Sequence, residues 1–311
     1  MHRKAIAIIT LIVLTTGCMN NSQPTNNTFT PSPIGLETIP TPSSDVFNYD
    51  NYAKITWVDK TDTENSSFCI TDITDGKITG IFVPGNVIYS PRAVPSQYSY
   101  DYGKFTGTIS DGKADCQFSA VQGIEGSLLL AFEPDKQINA TITLSEKSQY
   151  ANPNEGTFQY IPYNINDTKE FKIIESQSFM VDLNSWGNVR FVSVVNESPN
   201  HQPTLFYLTD EDGNFLYDFN ADIPYLVDVE AVSFVDVNDD ELIDVIILVK
   251  PQDESGLTAA FFKQTTDGAF FQDHDLNSAL NTGDNNKDIK TIVEYLSNNL
   301  PKGVQPPPHH P

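Results

Sequence analysis

The chain has 311 residues and sets 18 lysines and arginines against 41 aspartates and glutamates, a formal charge of −23 at pH 7. That excess repels phosphate backbones and anionic headgroups, so it argues against a nucleic-acid partner; the surface could attract cations or a basic polymer, but a solvated acidic surface that keeps the protein in solution is the preferred reading. Its three cysteines form no C-x-x-C and no Cys/His zinc spacing.

The first eighteen residues carry the strongest signal. His2-Arg3-Lys4 is basic, Ala5 to Leu14 is an uncharged run, and Leu14-Thr15-Thr16-Gly17-Cys18 closes it. A membrane-spanning helix needs about 20 apolar residues, so this run fits removal better than permanent insertion. The segment resembles the bacterial lipoprotein signal, with Thr15 where that family usually has Leu, Val or Ile. The resemblance implies that residues 1–17 are removed and that Cys18 becomes the acylated first residue. The partner is then the lipid bilayer, and the protein faces the extracytoplasmic side of the cell membrane, or sits in the outer membrane of a diderm host. An ordinary secretory signal cut near Gly17 is the competing reading. Loss of Arg3 and Lys4 takes the net charge from −23 to −25.

Residues 18–51 are rich in Asn, Ser, Thr and Pro and predict a disordered tether, because such a stretch buries too little apolar surface to offset its ordering entropy. As a random coil it would reach roughly 30 Å. Residues 52–148 then read as an antiparallel β domain, a sandwich or barrel. Asp75-Gly76 and Asp111-Gly112 each separate two strand-like runs, and Glu133-Pro134-Asp135-Lys136 separates two more. Cys69 and Cys116 fall on predicted strands. An exported compartment allows a disulfide between them, and two buried free thiols is the alternative.

A linker at 149–154 leads to a mixed α+β domain at 155–300. Its strands are expected near 189–195, 204–209, 215–219, 231–235, 245–249, 259–263 and 269–272. One closing helix is predicted from Ile289, Ile292, Val293 and Leu296, which recur at i, i+3, i+4, i+7 before Pro301. The proline-rich residues 301–311 predict a frayed tail.

Between two apolar strands, Asp236, Asn238, Asp240 and Asp244 occupy positions one, three, five and nine of a loop, and the Leu242 carbonyl holds position seven. Alternate oxygens in such a loop can converge on a hard cation. The pattern resembles the calcium loop of FG-GAP and VCBS-type repeats, with Glu241 where that family has glycine. The resemblance implies one structural Ca2+ held by Asp236, Asn238, Asp240, Leu242 and Asp244, and a polar hairpin capping its own backbone is the alternative. More loosely, residues 176–297 resemble the carboxy-terminal part of Gram-positive (Paenibacillus-type) lipoproteins, through Ala231 to Asp240, Ile246 to Leu248 and Ile289 to Leu296.

The sequence holds no Gly-x-Ser-x-Gly, His-Glu-x-x-His, phosphate loop or dinucleotide fingerprint, and His201 and His274 sit in loop-like surroundings. Tyr98, Tyr100 and Tyr102 share one face of an extended stretch and are candidate ligand contacts, whereas Trp57 and Trp186 fit core packing at least as well. The expected role is a non-catalytic, lipid-anchored binding or adhesion-type module for an envelope polymer or protein. Its alternatives are a structural envelope lipoprotein or a polymer-degrading hydrolase.

Overall fold

Two-residue turns in which both residues take positive φ set the pace of the first half. Asp75 and Gly76 (φ 51° and 72°) join β2 (Ser67–Thr74) to β3 (Lys77–Val83), and Asp111 and Gly112 (φ 52° and 76°) join β4 (Gly103–Ser110) to β5 (Lys113–Ala120). Such turns match the right-handed twist of the strands they connect. In this computed structural model the described residues are 47–62, 66–83, 103–120, 123–147, 154–183, 186–197, 202–219, 221–252, 256–266 and 268–305.

With β1 (Thr56–Asp59), β6 (Ile124–Glu133), β7 (Gln137–Glu146) and β8 (Gly156–Pro162), these strands form a closed antiparallel barrel in chain order. Closure comes from β8, which pairs with β7 on one side and places Val58 opposite Ile161 on the other. The barrel therefore takes its last strand from beyond the 149–154 segment. Alternate residues point inward, and rings fill the interior: Trp57, Phe68, Phe82, Phe105, Phe118 and Tyr160 are all buried. Eight strands enclose just enough room for such side chains. Two glycines make space, because a Cβ on Gly80 would lie 2.1 Å from the Phe105 ring and one on Gly126 2.8 Å from the Phe118 ring.

The fold begins earlier than composition implied. Phe47, Tyr49 and Tyr52 pack against the core beside Phe132, Tyr52 stacks on Trp57 at 5.6 Å, and the Trp57 indole donates to the Tyr52 carbonyl at 3.1 Å. Residues 47–51, expected at the end of a tether, thus belong to the body because three aromatic rings in six residues have something to bury.

The second half is a two-sheet sandwich with helices on one side. Its first sheet runs β10 (Phe179–Leu183), β11 (Gly187–Asn196), β12 (Thr204–Thr209), β13 (Phe215–Asp218), with β9 (Phe171–Ile173) also on β11. The second runs β14 (Val227–Val235), β15 (Asp244–Pro251), β16 (Thr258–Gln264), β17 (Phe270–Phe271). Ring pairs such as Phe191–Phe234 and Phe219–Phe262, both at 5.3 Å, join the sheets. In β15, Val245, Ile247 and Val249 face that interface while Ile246 and Leu248 face α1 (His274–Leu280) and α2 (Ile289–Asn299), which explains why this strand reads as one continuous apolar run. Helix α2 is the one expected, started by Asp288 accepting from Thr291 N at 2.7 Å and carrying buried Ile292 and Leu296.

Barrel and sandwich share one apolar core. Tyr163 stacks on Phe215 at 4.6 Å, the Phe215 N–H donates to the Tyr163 carbonyl at 2.9 Å, and Lys54 lies over the Trp186 ring. By packing, Phe47–Pro311 cluster as one compact unit.

Candidate functional site

The 236–244 loop closes the β14–β15 hairpin, and its acidic side chains turn inward on their own backbone. Asp236 accepts from the N–H groups of Asn238, Asp240 and Glu241 at 2.9 to 3.2 Å, and Asp240 accepts from Leu242 N at 3.0 Å. Asp244 accepts from Val237 N at 3.2 Å and Gln264 N at 3.0 Å. Burial pushes the Asp244 carboxyl up to about 7; the two N–H donors oppose the shift, and nearby Asp240 adds to it. Glu241 takes φ 70°, so the sixth position of the loop is left-handed with a side chain attached.

The tail closes over this loop. Residues 301–305, expected to fray, form a strap: Gly303 N donates to the Asn238 carbonyl at 2.8 Å and Gln305 Nε2 to the Asp240 carbonyl at 3.0 Å. Lys263, reaching in from β16, places its ammonium 3.5 Å from Asp240 Oδ2 and donates to the Val304 carbonyl at 3.0 Å. The Asn238 amide nitrogen donates to Asp240 Oδ2 at 2.9 Å, while its Oδ1 is buried without a donor.

All-oxygen donors and the orphaned Asn238 Oδ1 suit a hard cation chemically. In the structure the carboxylates of Asp236, Asp240 and Asp244 accept from N–H groups, and the Lys263 ammonium stands against Asp240 where a cation would sit. Leu242 enters this network through its N–H.

A second locus lies at the start of β12. A cleft of about 320 Å3, within the size range of small-ligand sites, is floored by buried Asp218, Gln272 and Phe206 and rimmed by Asp222, Tyr225 and His274. Tyr225 is 56% exposed. His274, expected in a loop, is the first residue of α1, which Asp273 caps by accepting from Leu276 N at 3.0 Å. The lining carries two carboxylates and no lysine or arginine. No local motif announced it, because its residues come from three separate stretches, 203–206, 218–225 and 272–274.

The remaining candidates divide between placed and undescribed. Cys69 and Cys116 are free and buried. Cys69 lies between inward-facing Phe68 and Ile70, so it faces away from the barrel interior, whereas Cys116 packs inside with Phe118. Opposite faces of the wall, with β3 and β4 between the two strands, account for the free thiols in place of a disulfide. Trp57 is barrel core, and Trp186 is half-buried and donates to the Gly268 carbonyl at 2.8 Å. Cys18, Tyr98, Tyr100, Tyr102 and His201 lie outside the described residues. Protein-family models, curated proteins and solved structures contain no match to this chain.

Proposed function

We propose that the protein is an extracytoplasmic binding module, anchored to a bilayer through acylated Cys18, that takes a cationic group of an envelope polymer or protein in the cleft around Asp218. The observation that carries this reading is the lining itself, a buried carboxylate on the floor, a second at the rim and an exposed tyrosine ring beside them. An ammonium or guanidinium group entering there meets negative charge in a partly desolvated setting and a ring face that attracts cations. The net charge of −25 left once residues 1–17 are removed draws the same ligands from a distance. No catalytic step belongs to this proposal.

Titration calorimetry with agmatine, which carries one guanidinium and one amine, tests the cleft. Saturable binding that Asp218→Asn weakens by about 2 kcal/mol and Tyr225→Ala by about 0.5 to 1 kcal/mol supports the reading. Binding of a neutral disaccharide in preference to agmatine, or no agmatine binding at millimolar concentration, overturns it. Fractionation and intact mass test the anchor, since Cys18→Ser should release the protein or leave an uncleaved precursor.

A further inference from the structure

The 236–244 loop gathers five carboxylates, Asp236, Asp239, Asp240, Glu241 and Asp244, at the tip of one hairpin. Carboxylates held this close repel one another unless a cation stands among them. Two lysines approach. Lys302 reaches Asp239 at 3.6 Å, but both side chains are exposed, so water screens that pair. Lys263 differs in kind: its side chain is 12% exposed and that of Asp240 is fully buried.

We infer that the Lys263 ammonium is the loop's own cation, occupying the electrostatic role a metal ion would otherwise fill. A charge this buried needs a full set of partners, and Lys263 has a carboxylate oxygen at 3.5 Å and a carbonyl oxygen at 3.0 Å. The same Asp240 oxygen accepts from Asn238 Nδ2, which ties the pair into the loop's turn. Neighbouring Gln264 serves the loop's other end, donating its N–H to Asp244 at 3.0 Å and accepting from Ile243 N at 3.1 Å. Two consecutive residues of β16 thus pin both halves of the loop from the adjacent strand.

The strap depends on the lysine. Val304 offers its carbonyl to Lys263, Gln305 holds the Asp240 carbonyl, and Gly303 holds Asn238. A divalent ion added to this loop would compete with the ammonium for Asp240 and would disturb the strap that the ammonium holds. Lys263 therefore makes the loop independent of calcium, and its removal makes the loop responsive to it. With the lysine gone, the carboxylates of Asp236 and Asp240 and the donorless Asn238 Oδ1 remain for an added cation.

The test is thermal unfolding of the full chain in EDTA and in 5 mM calcium chloride. The wild type should melt at the same temperature in both. Lys263→Met should lower Tm in EDTA by about 5 °C or more, and calcium should restore part of that loss. Should Lys263→Met fail to fold, Lys263→Gln keeps a donor for Val304 while removing the charge, and the same calcium response is expected of it. A wild-type Tm that rises with calcium overturns the inference in favour of a resident metal. A variant that melts lower but ignores calcium overturns it as well, since the lysine would then supply hydrogen bonding and packing alone. An unchanged Tm in EDTA shows that no counter-charge was needed and overturns it too.

Discussion

In the barrel, β1 finds both of its neighbours through main-chain pairing, with β2 on one side and β8 on the other. In the second sheet of the sandwich, β16 finds β15 on one side and, on the other, β17 at one end and helix-borne amides along the rest. Asn277 accepts from Phe261 N at 2.7 Å and donates to its carbonyl at 3.1 Å, and Asn281 does the same for Ala259 at 2.7 and 2.8 Å. Asn286 adds a donor to the Leu257 carbonyl. The spacing works because residues i and i+4 of a helix rise by about 6 Å and alternate residues of a strand by about 6.7 Å. A closed barrel meets every strand edge with another strand, whereas this edge of β16 is met by β17 at one end and by two amides along the rest, so the two halves should fail by different routes.

The largest expected effect lies in the barrel and acts through volume. Trp57→Ala removes a fully buried side chain that stacks on Tyr52 and lies against Phe68, and should cost about 4 kcal/mol in urea unfolding. Next comes the sandwich edge. Asn277→Ala strands the buried N–H and carbonyl of Phe261 and should cost about 3 kcal/mol. Hydrogen exchange separates the two mechanisms: in Asn277→Ala the Phe261 amide should lose protection while Ile142 in the barrel keeps its own. Equal loss at both would mean that the shared core makes the two edges fail together.

A smaller effect follows from pH. Burial pushes the Cys69 and Cys116 thiols up to about 12 from 9.0, with Asp115 adding to the rise at Cys116. Folded molecules keep these protons where unfolded ones lose them, so stability is full below about pH 9 and falls as pH climbs toward 12. At pH 10 the loss should be about 1.4 kcal/mol per thiol. Cys69→Ala with Cys116→Ala should lessen the alkaline decline measured by urea unfolding, leaving the part that the buried Tyr160 and Tyr163 hydroxyls contribute in the same direction. The smallest effect is a gain. Glu241→Gly relieves a side chain held at φ 70° and should raise stability by about 1 kcal/mol, less the added freedom of the unfolded chain.

What the sequence revealed follows the range of each signal. The hairpins at Asp75-Gly76 and Asp111-Gly112 were legible because turn chemistry and alternation are local, and α2 because its apolar stripe repeats within eleven residues. Strand β8 escaped notice because closure depends on pairing Val58 with Ile161, a hundred positions apart. Helix α1 escaped because it spans seven residues and presents Asn277 to the sheet, leaving too short an apolar period to detect. At the 236–244 loop the oxygen spacing was readable. Lys263 was not, since it arrives from the next strand and no spacing within the loop points to it. The cleft was invisible for the same reason, assembled from three distant stretches.

The asparagine pair on α1 also limits what copies of this molecule can do to one another. In the language of polymer chemistry, a sheet with an open edge is a monomer with a reactive end, and a second copy adds to it at a rate set by local concentration. Helix α1 is a chain stopper: it offers β16 the donors and acceptors of a strand, yet its own far side has none left to extend the ladder. Crowding on a two-dimensional surface would multiply encounters between such ends. At this edge Asn277 of α1 and Asn281 at its C-cap, with β17 beside them, leave β16 no open ladder for a second copy to join.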